Sequence, residues 1–136
     1  MAKHNQVGKI GEDIAADFLI GKGFKVVQRN YWKPYGEIDI VSREKSGKLR
    51  FIEVKTVSHG MEALIKGAVP HGTRGTYRPE ENVHPAKVKR LMRVIQAYLV
   101  SHETDADWQF DVVAVFLDEA NKTAKVRHLE NVILGS

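Results

Sequence analysis

The residues of this chain best suited to chemistry are Asp39 and the run Glu53-Val54-Lys55, with thirteen residues between Asp39 and Glu53. In an extended strand, side chains alternate between faces, so Glu53 and Lys55 project from one side and Val54 from the other. Asp39 ends the segment Gly36-Glu37-Ile38-Asp39 and belongs to a strand-like run, Glu37 to Arg43, in which Ile38 and Ile40 alternate with Glu37 and Asp39. The Ser46-Gly47-Lys48 turn signal joins the two runs into a hairpin that brings Asp39 beside Glu53. Two adjacent carboxylates repel each other unless they share a cation. Mg²⁺ suits them, because it accepts one or two carboxylates and keeps its other positions for water and phosphate oxygens. The expected product is a Mg²⁺ site, with Mn²⁺ as a possible substitute, and a lysine at its side.

An Asp followed by Glu-x-Lys on the next strand resembles the PD-(D/E)XK nuclease superfamily. The chain more closely resembles the YraN-like family of small bacterial proteins, predicted endonucleases distantly similar to archaeal Holliday-junction resolvases. The matching residues are Gly8, Gly11-Glu12, Ala15, Leu19, Gly23, Arg29-Asn30, Gly36-Glu37-Ile38-Asp39, Phe51-Ile52-Glu53-Val54-Lys55, Lys87 and Phe110-Asp111. Each piece alone is weak, and the ordered set is what is specific. Two positions depart from the wider pattern. Ile38 stands where the superfamily name has proline, and Val57 stands where a basic residue often follows the lysine.

The resemblance implies an α/β fold with a restriction-endonuclease-like αβββαβ core, a central mixed sheet flanked by helices. It also implies a metal-dependent DNA endonuclease acting on branched or structured DNA. In that reading Asp39, Glu53 and the Val54 carbonyl hold the metal. Lys55 orients or deprotonates the attacking water, Glu12 assists with a second metal or a bound water, and Lys87 contacts phosphate. Resolvases of similar core are dimers because a four-way junction is two-fold symmetric, so a homodimer is expected by the same analogy.

The elements that must position these groups can be read from periodicity. A first helix over about Val7 to Lys22 places Val7, Ile10, Ile14, Ala15, Phe18 and Leu19 on one side, and Gly23 is its stop. Glu12 flanks that stripe and can lean into the cleft of Asp39; the bland alternative is that Glu12 and Asp13 merely favour a helix N-terminus. Phe24 to Asn30 reads as a strand, and Pro34-Tyr35-Gly36 as a turn. A second helix, Ala86 to Val100, has an apolar stripe of Val88, Leu91, Met92, Ile95 and Leu99. Arg90 and Arg93 face outward from it, and Lys87 and Lys89 border it. Trp108 to Phe116 alternates as a strand, and Ala124 to Leu129 returns as another. Asp111 shares its strand face with Val113 and Val115, which favours a structural pairing with a lysine or arginine over metal ligation.

Between these elements, Ser58 to Pro85 is rich in glycine and proline and reads as a flexible loop within a single domain spanning 1–136. Arg74, Tyr77 and Arg78 in it offer phosphate and stacking contacts to nucleic acid.

Composition sets outer limits. The chain has 136 residues, no cysteine, and 21 Lys+Arg against 17 Asp+Glu, a formal charge of +4. The segment Ala86 to Val100 carries Lys87, Lys89, Arg90 and Arg93 and no acid, so it accounts for the whole excess. Such a face can neutralise phosphates, although basic helix faces are often only solvated. The absence of thiols excludes disulfides and thiolate metal sites. With no signal-like or membrane-spanning run, a cytoplasmic protein without a membrane partner is expected. The six histidines form no His-x-His or His-Glu-x-x-His pattern, so zinc has little support. The main rival from another class is a non-catalytic nucleic-acid-binding or assembly module, in which the acid–lysine cluster is a structural ion-pair network.

Overall fold

A computed structural model describes residues 3–58 and 85–132. Their elements run α1 (Lys3–Gly21), β1 (Lys25–Lys33), β2 (Gly36–Arg43), β3 (Leu49–Ser58), α2 (Pro85–Ser101), β4 (Trp108–Asp118) and β5 (Thr123–Leu129). The five strands form one sheet in the order β1-β2-β3-β4-β5. Neighbours are antiparallel except β3 and β4, which pair in parallel from Leu49–Trp108 to Ser58–Leu117. A parallel pair needs a long crossover, and α2 lies within it. This is an α/β fold with a mixed sheet and two helices among the described residues, consistent with a restriction-endonuclease-like core.

Each sheet face carries its own apolar cluster. On the α2 side, Leu91, Val94, Ile95 and Tyr98 pack against Tyr31, Ile38, Val41, Phe51, Phe110 and Val112. On the α1 side, Ala15, Ala16 and Leu19 pack against Ile40, Ile52, Val113, Val115 and Leu117. Strand β4 is therefore covered on both faces and buried almost throughout, as expected for a central strand with a parallel neighbour.

Both helices are rotated slightly from the expected stripes. Ile10 remains 48% exposed, and the buried row of α1 instead runs through Gly11, Ala15 and Leu19. Gly11 allows close contact with the sheet, since a Cβ there would stand 1.9 Å from Thr56 Oγ1. In α2, Val94 and Tyr98 are buried while Met92 is only half-buried. Tyr98 is drawn inward by edge-on contacts with Tyr31 and Phe51. The chain leaves α1 through Gly23 at φ +97°, with the Phe24 amide donating to the Leu19 carbonyl at 3.1 Å.

Strand β1 continues past Asn30, where the sequence suggested an end, as far as Lys33, which pairs with Gly36 across the Pro34-Tyr35 turn. Asn30 adopts φ +52° between the pairs Arg29–Ile40 and Tyr31–Ile38. Facing reverses across it. Arg29 bonds Asp13 of α1 and Ile40 joins the α1-side cluster, whereas Tyr31 and Ile38 belong to the α2 side. Gly36 lets β2 pass close to α2, because a Cβ there would lie 2.9 Å from Val94 Cγ2.

Candidate metal centre

The β2–β3 hairpin forms in the expected register, from Arg43–Leu49 to Ile40–Ile52. The ladder stops there, and the next residues outward are Asp39 and Glu53. In place of a backbone acceptor, Asp39 Oδ2 takes the Val54 amide hydrogen at 2.7 Å. Val54 packs on the α1 side, so Glu53 and Lys55 point to the α2 side. There the Lys87 ammonium from α2 lies 2.7 Å from Glu53 Oε1, and the Lys55 ammonium lies 3.5 Å from Glu53 Oε2. Asp39, Glu53, Val54, Lys55 and Lys87 are thus brought to one corner of the fold.

Glu12 faces this corner from α1, but its hydrogen bond runs to Asn30 Nδ2 at 3.0 Å, with Arg29 Nη2 at 3.5 Å. Asp13 is engaged with Arg29 at 2.8 Å. Burial pushes the Asp39 carboxyl up to about 7. The Val54 hydrogen bond opposes that rise, and the negative charges of Glu12, Glu53 and Glu37 add to it. Glu12 therefore acts on Asp39 through its field.

One observation bears on a divalent cation here: Glu53 Oε2 is buried and has no hydrogen-bond partner, with the Lys55 ammonium 3.5 Å away. Burial also disfavours the charge of Asp39, and a nearby cation would offset that cost. Ionised carboxylate oxygens are also the hard ligands that Mg²⁺ or Mn²⁺ prefers.

The expected phosphate-binding residues are divided. Arg90 and Arg93 lie on the exposed side of α2, with the Arg93 guanidinium 3.9 Å above the Tyr35 ring. Arg74 and Arg78, and the expected flexible loop carrying them, lie outside the described residues.

A second cluster escaped the sequence reading. Asp111 is fully buried and, as expected, pairs with an arginine: Arg50 Nη1 lies 2.9 Å from Asp111 Oδ2 and 2.6 Å from Glu130 Oε1. Asp111 also accepts from Gln109 and the Asn131 amide at 2.8 Å each. His128 Nε2 stands 2.8 Å from Asp111 Oδ2, and Lys22 Nζ lies 2.8 Å from His128 Nδ1. Since the lysine can only donate, Nδ1 accepts and Nε2 carries the hydrogen given to Asp111. Burial would raise the Asp111 carboxyl, but the bonds from His128, Asn131, Gln109 and Arg50 outweigh it and hold it at about 2. The ligand atoms of Asp111, His128 and Glu130 lie within 4.8 Å of one another, a group that could hold a metal. In this structure Arg50 supplies its positive charge. No spacing pattern signals the group, whose members are joined only by strand pairing.

Comparison with known proteins settles the family. The profile of "Uncharacterised protein family UPF0102" matches residues 11–115. The chain belongs to the UPF0102 family. This is the YraN-like group that the Gly-Glu-Ile-Asp and Glu-Val-Lys segments resemble. A UPF0102 protein of Flavobacterium psychrophilum is 32% identical over 131 residues, covering 96% of each chain. One from Bacteroides thetaiotaomicron is 34% identical over 121 residues, 89% of this chain and 88% of its own. One from Chlorobium limicola is 35% identical over 115 residues, covering 84% and 78%. The UPF0102 profile begins at Gly11, where α1 meets Thr56, and spans Asp39, Glu53, Lys55, Lys87 and Asp111. Among the described residues, no helix of this UPF0102 protein is long and apolar enough to cross a membrane.

Proposed function

We propose that this protein is a divalent-cation-dependent DNA endonuclease, a single-domain enzyme that hydrolyses phosphodiester bonds in branched or structured DNA. The observation that carries the reading is the convergence of Asp39, Glu53 and Lys55 where the β2–β3 ladder ends, with Glu53 Oε2 buried and lacking a hydrogen bond.

Asp39, Glu53 and the Val54 carbonyl would hold Mg²⁺ or Mn²⁺. A bound cation would polarise the scissile phosphate and lower the pKa of a water molecule. Lys55 would orient or deprotonate the attacking water and offset the charge that builds on phosphorus oxygens in the transition state. Glu12, negative and near Asp39, would help hold a second cation or a water. Lys87, Arg90 and Arg93, with Arg74 and Arg78, would take backbone phosphates, so DNA affinity should fall as salt rises. An enzyme working on a two-fold-symmetric junction would act as a homodimer, and its DNA substrate would place it in the cytoplasm.

One observation favours a second reading. Glu53 already has two ammonium neighbours, Lys55 and Lys87, which is how a purely structural ion-pair network on a non-catalytic nucleic-acid-binding module would look.

Labelled single-stranded, duplex, flapped and four-way-junction DNA, incubated with Mg²⁺ or Mn²⁺, separates the two readings. Cleavage of one structure by the wild type, lost in identically purified Glu53→Ala and Lys55→Ala proteins, supports the nuclease. Binding that survives EDTA and Asp39→Ala, with no cleavage under any metal, supports the module.

A further inference from the structure

Lys87 sits where the proposed centre wants a cation. Its ammonium lies 2.7 Å from Glu53 Oε1, closer than the 3.5 Å separating Lys55 from Oε2. Both partners are withdrawn from water, Lys87 at 26% and Glu53 at 14% side-chain exposure. Such a short charge-assisted contact is among the stronger hydrogen bonds a carboxylate makes. The two lysines differ in origin. Lys55 is two residues from Glu53 on the same strand and is held beside it by strand geometry. Lys87 comes from the first turn of α2, a separate element, and its four-carbon stem can swing away without moving the helix.

We propose that Lys87 is a resident counter-cation of Glu53 which an incoming divalent cation displaces, and that the freed ammonium then engages a DNA phosphate. Cation loading and DNA binding would thereby be coupled through one side chain. This rests on the cation-dependent reading above, which has Lys87 at a phosphate, and adds to it the pairing of Lys87 with Glu53 and its release by the cation.

The physical case has three parts. A Mg²⁺ ion must approach a carboxylate oxygen to about 2.0–2.1 Å, and with Oε1 held by Lys87 only the buried Oε2 is without a hydrogen bond. An ammonium and a divalent cation sharing one partly buried carboxylate repel each other, since like charges at such short range are poorly screened. Finally, a phosphate drawn to the cation brings new negative charge within reach of the displaced lysine. Lys87 is then a positioning residue: it acts on the cation through Glu53 and on DNA through charge.

The test uses the full chain, with Mn²⁺ affinity measured by titration calorimetry and binding of fluorescein-labelled four-way-junction DNA measured by anisotropy in Ca²⁺ or EDTA. Lys87→Met keeps the stem and removes the charge. It should bind Mn²⁺ about tenfold tighter than wild type, and its DNA affinity should lose the increase that Ca²⁺ gives the wild type. Lys87→Arg, whose guanidinium can clamp both Glu53 oxygens, should bind Mn²⁺ more weakly than wild type. A lysine that served only the fold would lower Tm without tightening Mn²⁺ binding. Equal or weaker Mn²⁺ affinity in Lys87→Met, or an unchanged Ca²⁺ effect on its DNA binding, overturns the proposal while leaving the nuclease reading intact. Failure of the wild type to bind Mn²⁺ at millimolar concentration overturns both.

Discussion

Asp39 and Val54 are joined across the β2–β3 hairpin by a side-chain-to-backbone hydrogen bond of 2.7 Å, just beyond the last Ile40–Ile52 pair. One carboxylate oxygen is therefore committed to the sheet. The arrangement fixes Asp39 while burying it near other negative charges, a balance that should govern how the protein responds to pH.

The Asp39 carboxyl titrates near 7 in the fold, against an ordinary value of 3.8. Its pKa is raised on folding, so the stability it contributes is fully present below about pH 4 and is lost as pH rises through 7. Without divalent cations, Asp39→Asn should abolish that loss and raise stability at pH 8 by on the order of 2 kcal/mol. Urea unfolding of both proteins in EDTA at pH 5 and pH 8 measures it; equal pH slopes would sink the prediction.

Cation binding should stabilise the folded chain. At one hundred times Kd, Mn²⁺ adds about 2.7 kcal/mol, read as a rise in Tm by scanning calorimetry. Asp39→Ala and Glu53→Ala should each remove most of the rise. A shift retained in both variants but lost in His128→Ala would place the ion at Asp111, His128 and Glu130 instead.

Arg50 should matter more to folding than to chemistry. Replacing it with Met leaves Asp111 buried without its guanidinium partner, a change that costs about 3 kcal/mol or more for a broken buried pair. The Asp111 carboxyl is held at about 2, below its ordinary value, so its contribution is present above about pH 4 and lost as pH falls towards 2. Acid unfolding should therefore begin at higher pH in Arg50→Met. Coincident acid transitions for variant and wild type would show that His128, Gln109 and the Asn131 amide suffice.

Gly11→Ala should destabilise by about 1–3 kcal/mol through overpacking, because the new methyl would overlap Thr56. Thr56→Gly in the same chain should recover part of the loss. A double variant no more stable than Gly11→Ala alone would mean that the helix, and not the contact, carries the penalty.

Much of this could be read before the fold. The Glu53-Val54-Lys55 alternation, the Ser46-Gly47-Lys48 turn and the Gly23 stop are local signals, and each appears where the residues placed it. The misplaced stripes had a tertiary cause. Ile10 looked like a core residue by hydrophobicity, but Gly11 is what the sheet admits, since closeness of approach decided the rotation of α1. Likewise Tyr98 is buried through ring contacts from β1 and β3 that no helical wheel contains. The extension of β1 past Asn30 depends on a left-handed residue that β2 accommodates. The Arg50 cluster draws on β3, β4, β5 and the residues after β5, so only strand pairing could reveal it, although Asp111 already invited a basic partner.

The alternation that puts Glu53 and Lys55 on one face and Ile52 and Val54 on the other also guards the fold against misassembly. If β3 slid by a single residue against β4, both charges would turn into the apolar layer beneath α1 and two aliphatic side chains would turn out of it, a penalty that discourages the slipped pairing. The same two side chains that would handle a phosphodiester in the proposed reading thus also penalise strand misalignment, so mutational tolerance at these positions would then report on two selective pressures at once.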